Sequence, residues 1–255
     1  PPLRGEDMTP QIQSLIRVGR AVLDGSMSSE EAVLACLERI EEQDGRTRSF
    51  VSLRAEQALT EARQRDAESP RGPLHGVPFA VKDIFDTVDL PTEFNSPYYH
   101  GFQPAKDAAA VTLLRSAGAV LVGKVATAEF ATLGSLPETR NPYNAEFTPG
   151  GSSAGSAAAV GGGEVPMALA TQTGGSTIRP ASFCGAAAFK PTWGLVPVEG
   201  VRPFAPSLDT VGWIAEDCDL LARCARASGL DMSGERSIDS PLRIGFYRTP
   251  YYQEA

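Results

Sequence analysis

The chain has 255 residues, room for one large domain or two small ones, and 42% are hydrophobic against 21% charged. That balance supports a buried core and excludes general disorder. A formal net charge of −8 argues against a dedicated nucleic-acid surface, which would show clustered Lys and Arg, and no apolar run reaches the ~18 residues of a membrane span.

The elements follow in chain order. Ile12, Leu15, Ile16 and Leu23 keep approximate helical spacing. Ser28-Ser29-Glu30-Glu31 reads as a capping box, and Val33, Cys36, Leu37 and Ile40 then share one face. A third helix is predicted over 55–66, ending in the turn-rich stretch 69–73. The first 70 residues thus read as packing helices without chemistry. From residue 74 the texture changes to short apolar runs divided by Gly and Pro. A strand is predicted over 77–85, a helix over 107–117 stopped by Gly118, and a buried strand over 119–123. A small-residue helix follows Gly150-Gly151, then a strand over 167–171, a helix over 218–227 ended by Gly229, and a strand over 242–246. Helices alternating with strands predict an α/β protein.

The residue supply narrows the chemistry. Four cysteines, at 36, 184, 218 and 224, form no CxxC pair and read as reduced or buried thiols of a cytoplasmic protein. With two histidines, His-dependent metal and triad chemistry is a poor fit, and no metal or cofactor is expected. Lysine is scarce, at 82, 106, 124 and 190 only, against 19 arginines.

Three tracts carry the chemical signal. The densest is Pro149-Gly-Gly-Ser-Ser-Ala-Gly-Ser-Ala-Ala-Ala-Val-Gly-Gly-Gly163. It lacks the Lys-Ser/Thr of a phosphate-binding loop. Residues 151–155 fit G-x-S-x-G, but both histidines precede the serine, whereas a nucleophile elbow needs its histidine after it. The bland alternative is a flexible loop or a close-packed helix. The second tract is Thr171-Gln-Thr-Gly-Gly-Ser-Thr-Ile-Arg-Pro180. Its glycines let successive N–H groups converge, as an oxyanion site requires, though Gly-Gly-Ser is also a common turn. The third is Lys82 at the end of an apolar strand. Burial there would lower its pKa and make it a general base; alternatively it pairs with Asp83.

Together these tracts resemble the amidase signature family. The matching stretches are Gly72-Pro-Leu-His-Gly-Val-Pro-Phe-Ala-Val-Lys-Asp83, Gly123-Lys124 with Glu129-Phe130-Ala131, Asn141-Pro142, Gly150-Gly-Ser-Ser-Ala-Gly-Ser156 and Thr173-Gly-Gly-Ser176 through Arg179-Pro180-Ala181. Cys184-Gly185, Lys190-Pro191-Thr192 and Leu208-Asp209-Thr210-Val211-Gly212 extend the match over about residues 10–250. The wording is closest to malonamidase-type bacterial amidases.

The resemblance implies a large mixed β-sheet flanked by helices, with 1–72 as a helical N-terminal segment and 73–255 as the signature core. Because the family is longer, it also implies a single catalytic domain, 1–255, incomplete at its C-terminus. It implies an amidohydrolase that cleaves a carboxylic amide through a serine acyl-enzyme. Ser176 would be the nucleophile, Lys82 the base and Ser152 the bridging serine, 24 positions before Ser176 as the family keeps it. Ser153 would be a hydrogen-bonding support, and the Thr173, Gly174 and Gly175 backbone the oxyanion hole. Arg179 is either an anchor for an anionic substrate group or an internal partner of a carbonyl or acid. Gln172 stands where many members have aspartate, and Ala154 where a glycine is common. His75 is expected to be a hydrogen-bonded structural residue. The partners implied are a small-molecule amide, no nucleic acid and no membrane, with a homodimer as the assembly left open. Alternatives on the same fold are the glutaminase subunit of a tRNA-dependent amidotransferase and a catalytically silent scaffold.

Overall fold

The structure is a computed structural model that describes residues 17–132 and 134–232. Helices α1 (Val18–Leu23) and α2 (Ser29–Thr47) precede strand β1 (Phe50–Leu53) and helix α3 (Ala55–Ala67). Then come β2 (Pro78–Lys82), α4 (Ala109–Ser116), β3 (Val120–Val125), α5 (Ala154–Gly161), β4 (Met167–Gln172), α6 (Ile178–Phe183), β5 (Ala187–Phe189), β6 (Thr210–Ala215) and α7 (Cys218–Ala227).

Local signals explain several boundaries. Ser28 accepts from the Glu31 N–H while the Glu31 side chain accepts from the Ser28 N–H, so α2 opens on a complete capping box. Gly118 follows α4 at a φ of +92° and Gly229 follows α7 at +80°, a region that L side chains rarely enter. The segments predicted at 12–16 and 242–246 lie outside the described residues.

Six strands form one mixed sheet in the order β1-β3-β2-β4-β6-β5. β2 is central and parallel to both β3 and β4, while β1, β6 and β5 are antiparallel to their neighbours. β1 corrects the expectation that everything before residue 70 is helical. Its four residues are too few for a readable period, and its pairing with β3, from Phe50 opposite Val125 to Leu53 opposite Gly123, is non-local. Because β2 and β4 run the same way, their C-terminal ends open at one edge of the sheet, where α/β folds build their sites.

The sheet packs on both faces, and strand alternation sorts the side chains. Phe79 and Val81 join Leu114 of α4, Leu169, Trp213 and Leu220 of α7 in one core. Ala80 faces the other core, with Ala157, Ala158 and Val160 of α5, Cys36 and Ile40 of α2, Ala168 and Ile214. The Gly/Ser/Ala tract is therefore a packing helix, and the reason for its small residues is distance. A Cβ on Gly155 would lie 2.3 Å from the Ala126 nitrogen and 2.5 Å from the Ser49 oxygen. No described helix is long and apolar enough to cross a membrane.

Just beyond α5, Glu164 is fully buried and accepts the Thr47 hydroxyl at 2.5 Å. Burial pushes its carboxyl from 4.5 up to about 7, against the opposing effect of the Thr47 hydrogen bond. An acid with a raised folded-state pKa binds more protons folded than unfolded, so its contribution to stability is greatest below about pH 4.5 and is lost as pH rises to about 7. Glu164→Gln removes that dependence. Denaturant titrations are expected to show the variant gaining on the parent between pH 5 and pH 8, by on the order of 2 kcal/mol. An equal difference at the two pH values would refute this account.

Candidate active site

Lys82 is the last residue of β2, two positions past Ala80, and so enters the α5 side of the sheet. It is fully buried. Its Nζ donates to Ser152 Oγ at 2.8 Å and to Thr171 Oγ1 at 2.7 Å. Burial brings its pKa from 10.5 down to about 7, with the charge of Asp209 acting in the opposite direction. Asp83 is not its partner. Lys124 Nζ lies 3.2 Å from Asp83 Oδ1 and also donates to the Phe85 carbonyl and the Thr92 hydroxyl at 2.7 and 2.6 Å. Of the two readings of Lys82, the neighbouring ion pair therefore fails, because Asp83 is taken by a different lysine.

Ser152 and Ser153 lie at the start of α5, after Gly150 at a φ of +78° and a cis Gly151–Ser152 peptide. Both serines are buried. The Ala128 N–H donates to the Ser152 carbonyl at 3.0 Å. Ser153 ties the site to β4, its hydroxyl donating to the Thr171 carbonyl at 3.2 Å. Its N–H donates to the Ser176 carbonyl at 3.3 Å. The two serine segments are thus held side by side through the backbone.

From the end of β4 the chain turns through residues 173–177 into α6. Gln172 Oε1 accepts from the Thr177 and Ile178 N–H groups at 2.9 and 3.0 Å. A neutral amide oxygen here caps a helix that its own N-cap residue, Thr177, leaves uncapped. Thr173 Oγ1 donates to Asp209 Oδ1 at 2.5 Å. Among the described residues, the N–H groups of Gly174, Gly175 and Ser176 have no acceptor, and the half-buried Ser176 hydroxyl has no hydrogen-bond partner. Arg179 Nη2 donates to the Gly151 carbonyl at 2.7 Å, the internal contact that was one of its two expected roles.

The fold therefore gathers Lys82, Ser152, Ser153, Thr173, Gly174, Gly175, Ser176 and Arg179 at the C-terminal ends of β2 and β4. Lys82 and Ser152 are in contact; Ser176 is joined to them through Ser153, without a direct hydroxyl bond to Ser152. Three participants were not singled out from sequence: Thr171 as the second lysine partner, Gln172 as a cap, and Asp209. Thr171 lay in the second chemical tract and Asp209 in a matched stretch, but their contacts, with Lys82 and Thr173, span long sequence separations. The remaining candidates are engaged elsewhere. His75 Nδ1 accepts from the Arg71 N–H and its Nε2 meets the Arg65 carbonyl at 2.9 Å. Burial pushes the Cys184 thiol up to about 12. No group of His, Cys, Asp or Glu suited to a metal occurs among the described residues.

The Gln172 cap makes a prediction. Gln172→Leu leaves two N–H groups of the 177–178 turn unsatisfied and is expected to lower stability by about 1 kcal/mol in urea titrations. Gln172→Glu keeps the acceptor and is expected to restore most of the loss. Equal stability of the leucine variant and the parent would discard the capping role.

The family model described as Amidase matches residues 31–252. A glutamyl-tRNA(Gln) amidotransferase subunit of Thermobifida fusca is 42% identical over 240 residues, 90% of this chain and 48% of that protein. The same subunit of Moorella thermoacetica is 44% identical over 227 residues, 85% and 46% of the two chains. Among solved structures, native peptide amidase from Stenotrophomonas maltophilia superposes with a TM-score of 0.76 at 34% identity, covering 89% of this chain and 50% of that one. The chain spans about half the length of the curated relatives it matches. The relatives overturn the expected partner set, in which a small amide was joined by no nucleic acid and by no protein other than a second copy. They are named as one subunit of an enzyme that is itself named for a tRNA. Net charge averages a whole surface and does not report what an assembly handles, so −8 does not exclude such partners.

Proposed function

The chain belongs to the amidase family, and from that premise we propose that it cleaves carboxylic amides at the C–N bond through a serine acyl-enzyme. The observation that carries the proposal is Lys82, fully buried, with a pKa brought down to about 7 and its amine 2.8 Å from the Ser152 hydroxyl. A serine hydroxyl needs a base to take its proton as it attacks, and a lysine that is substantially neutral near pH 7 supplies one. In the neutral amine the Ser152 hydroxyl donates into the Nζ lone pair, while Thr171 continues to accept an N–H.

The steps follow from these positions. Ser176 Oγ bonds to the amide carbon as its proton passes to Ser152 Oγ and the Ser152 proton passes to Lys82. The oxyanion is met by the N–H groups of Thr173, Gly174 and Gly175, with that of Ser176 itself, and the Thr173 side chain fixes the start of the turn. The C–N bond then breaks as Lys82 returns a proton through Ser152 to the leaving nitrogen. Water adds to the ester, giving its proton to the same relay. The ester C–O bond breaks, Ser176 regains its proton, and a carboxylic acid leaves. Ser153 supports the arrangement by holding Thr171 and Ser176. Arg179, with one nitrogen on Gly151, offers its remaining N–H groups to an acidic group of the substrate.

The curated relatives favour a second reading of the same chemistry. Here the amide is that of glutamine, and the ammonia passes to a partner protein in an assembly that acts on tRNA. Hydrolysis of simple amides by the purified protein alone supports the first reading; glutamine hydrolysis that needs a partner supports the second.

Both readings place the reaction on the same residues. Ser176→Ala and Lys82→Met are each expected to lower kcat about 10³-fold or more, and a fluorophosphonate probe is expected to label Ser176. Because the base must be neutral, the parent kcat/KM is expected to rise with pH through about 7 and then level off. Near-parental turnover by Ser176→Ala would sink the nucleophile assignment, and labelling at Ser152 would exchange the two serines.

A further inference from the structure

Asp209, half-buried just before β6, joins two backbone segments that meet beside the site. Its Oδ1 accepts the Thr173 hydroxyl at 2.5 Å, and its Oδ2 accepts the Phe204 and Ala205 N–H groups at 2.8 and 2.9 Å. Three donors thus converge on one carboxylate. The Gly174-Gly175 turn has little else to order it. A Cβ on Gly174 would meet nothing within 4 Å, and one on Gly175 would meet only the Arg179 Cβ at 3.8 Å. Glycine gives the backbone wide conformational freedom, so the direction of these N–H groups is set by what clamps the flanks. On the far side the clamp is Gln172, holding Thr177 and Ile178. On the near side it is Asp209, holding Thr173.

We propose that Asp209 is a positioning residue with two effects: its carboxylate locks Thr173, and with it the Gly174–Ser176 amides, against the 204–205 backbone, and it holds a negative charge at Thr173, two residues along the chain from the Thr171 hydroxyl that Lys82 contacts. This rests on the reading of Lys82 as base and of the turn as oxyanion site.

The ionic surroundings of Lys82 are sparse among the described residues. On the strand continuation, Asp83 is paired with Lys124 of β3. β4 contributes the Thr171 hydroxyl and the start of α5 the Ser152 hydroxyl. Arg179 of α6 is turned to the Gly151 carbonyl. Asp209 is the charged group that acts on Lys82, raising its proton affinity where burial lowers it. Geometry and charge therefore separate: the lock governs the rate once Lys82 is neutral, and the charge governs the pH at which neutrality is reached.

Three variants of the full chain test this, after the parent's pH profile and the loss in Lys82→Met have been measured. Asp209→Asn removes both effects, so plateau kcat is expected to fall about 10- to 100-fold. The acid limb of kcat/KM is expected to move down by about half a pH unit or more, because an ammonium without its facing anion loses its proton more readily. Thr173→Val removes only the lock, lowering the plateau and leaving the limb in place; Thr173→Ser restores the plateau. An unmoved limb in folded Asp209→Asn, or a parental plateau in Thr173→Val, overturns the proposal. If Asp209→Asn lacks the parent's circular dichroism, Asp209→Glu replaces it. That variant keeps the charge and displaces the lock, so a limb moved down or a parental plateau overturns the proposal there. A parent whose activity survives Lys82→Met would instead overturn the underlying reading, a result distinct from any failure at Asp209.

Discussion

A lysine that ends a buried strand without a carboxylate in contact is the constraint around which this structure is arranged. Taking an ammonium out of water disfavours its charged form by several pKa units, and hydroxyl partners compensate only in part. Lys82 has two such partners, Ser152 and Thr171, drawn from different parts of the chain. Had Asp83 turned toward it, the ion pair would have favoured the charged form of the amine. Giving that carboxylate to Lys124 keeps the two lysines in separate electrostatic settings. Burial lowers the pKa of each, but Lys124 has the opposing charge and hydrogen bond of Asp83 directly beside it.

The rest of the architecture brings those partners close enough. β2 and β4 are adjacent and parallel, so their last residues emerge together and Lys82 meets Thr171. α5 must then lie almost against the backbone of the sheet's neighbouring segments for Ser152 to reach the same amine. That closeness is why the helix is built of small residues from end to end: at Gly155 and Gly161 a Cβ would fall 2.3 Å from the Ala126 nitrogen and 2.0 Å from the Cys184 oxygen. Of the two plain readings of that composition, a flexible loop and a close-packed helix, tight packing decides for the helix.

Gln172 shows how a departure from the usual residue is absorbed. Aspartate at that place would bring a negative charge to the first turn of α6, favourable to the helix dipole. The amide keeps the acceptor oxygen and gives up the charge, and its two hydrogen bonds hold the turn into α6. The near flank of the same turn is held differently, by the Asp209 carboxylate on the Thr173 hydroxyl.

Sequence by itself determined the local and the chemical vocabulary. The capping box at Ser28, the helix over 218–227, the apolar strand ending in Lys82 and the two serine tracts were legible because each rests on neighbours within a few residues. The family was legible in the order of its tracts. Tertiary structure alone decided which of those groups meet. β1, β5 and β6 were missed because short or uniformly buried strands carry little periodicity and gain their identity from distant partners. The same reason hid Thr171 behind Lys82, Lys124 behind Asp83, and Asp209 behind Thr173. A hydroxyl or carboxylate in a sequence has no fixed partner until the sheet sets its register, and here the partner, more than the residue type, determines whether a buried lysine faces a carboxylate or only hydroxyls.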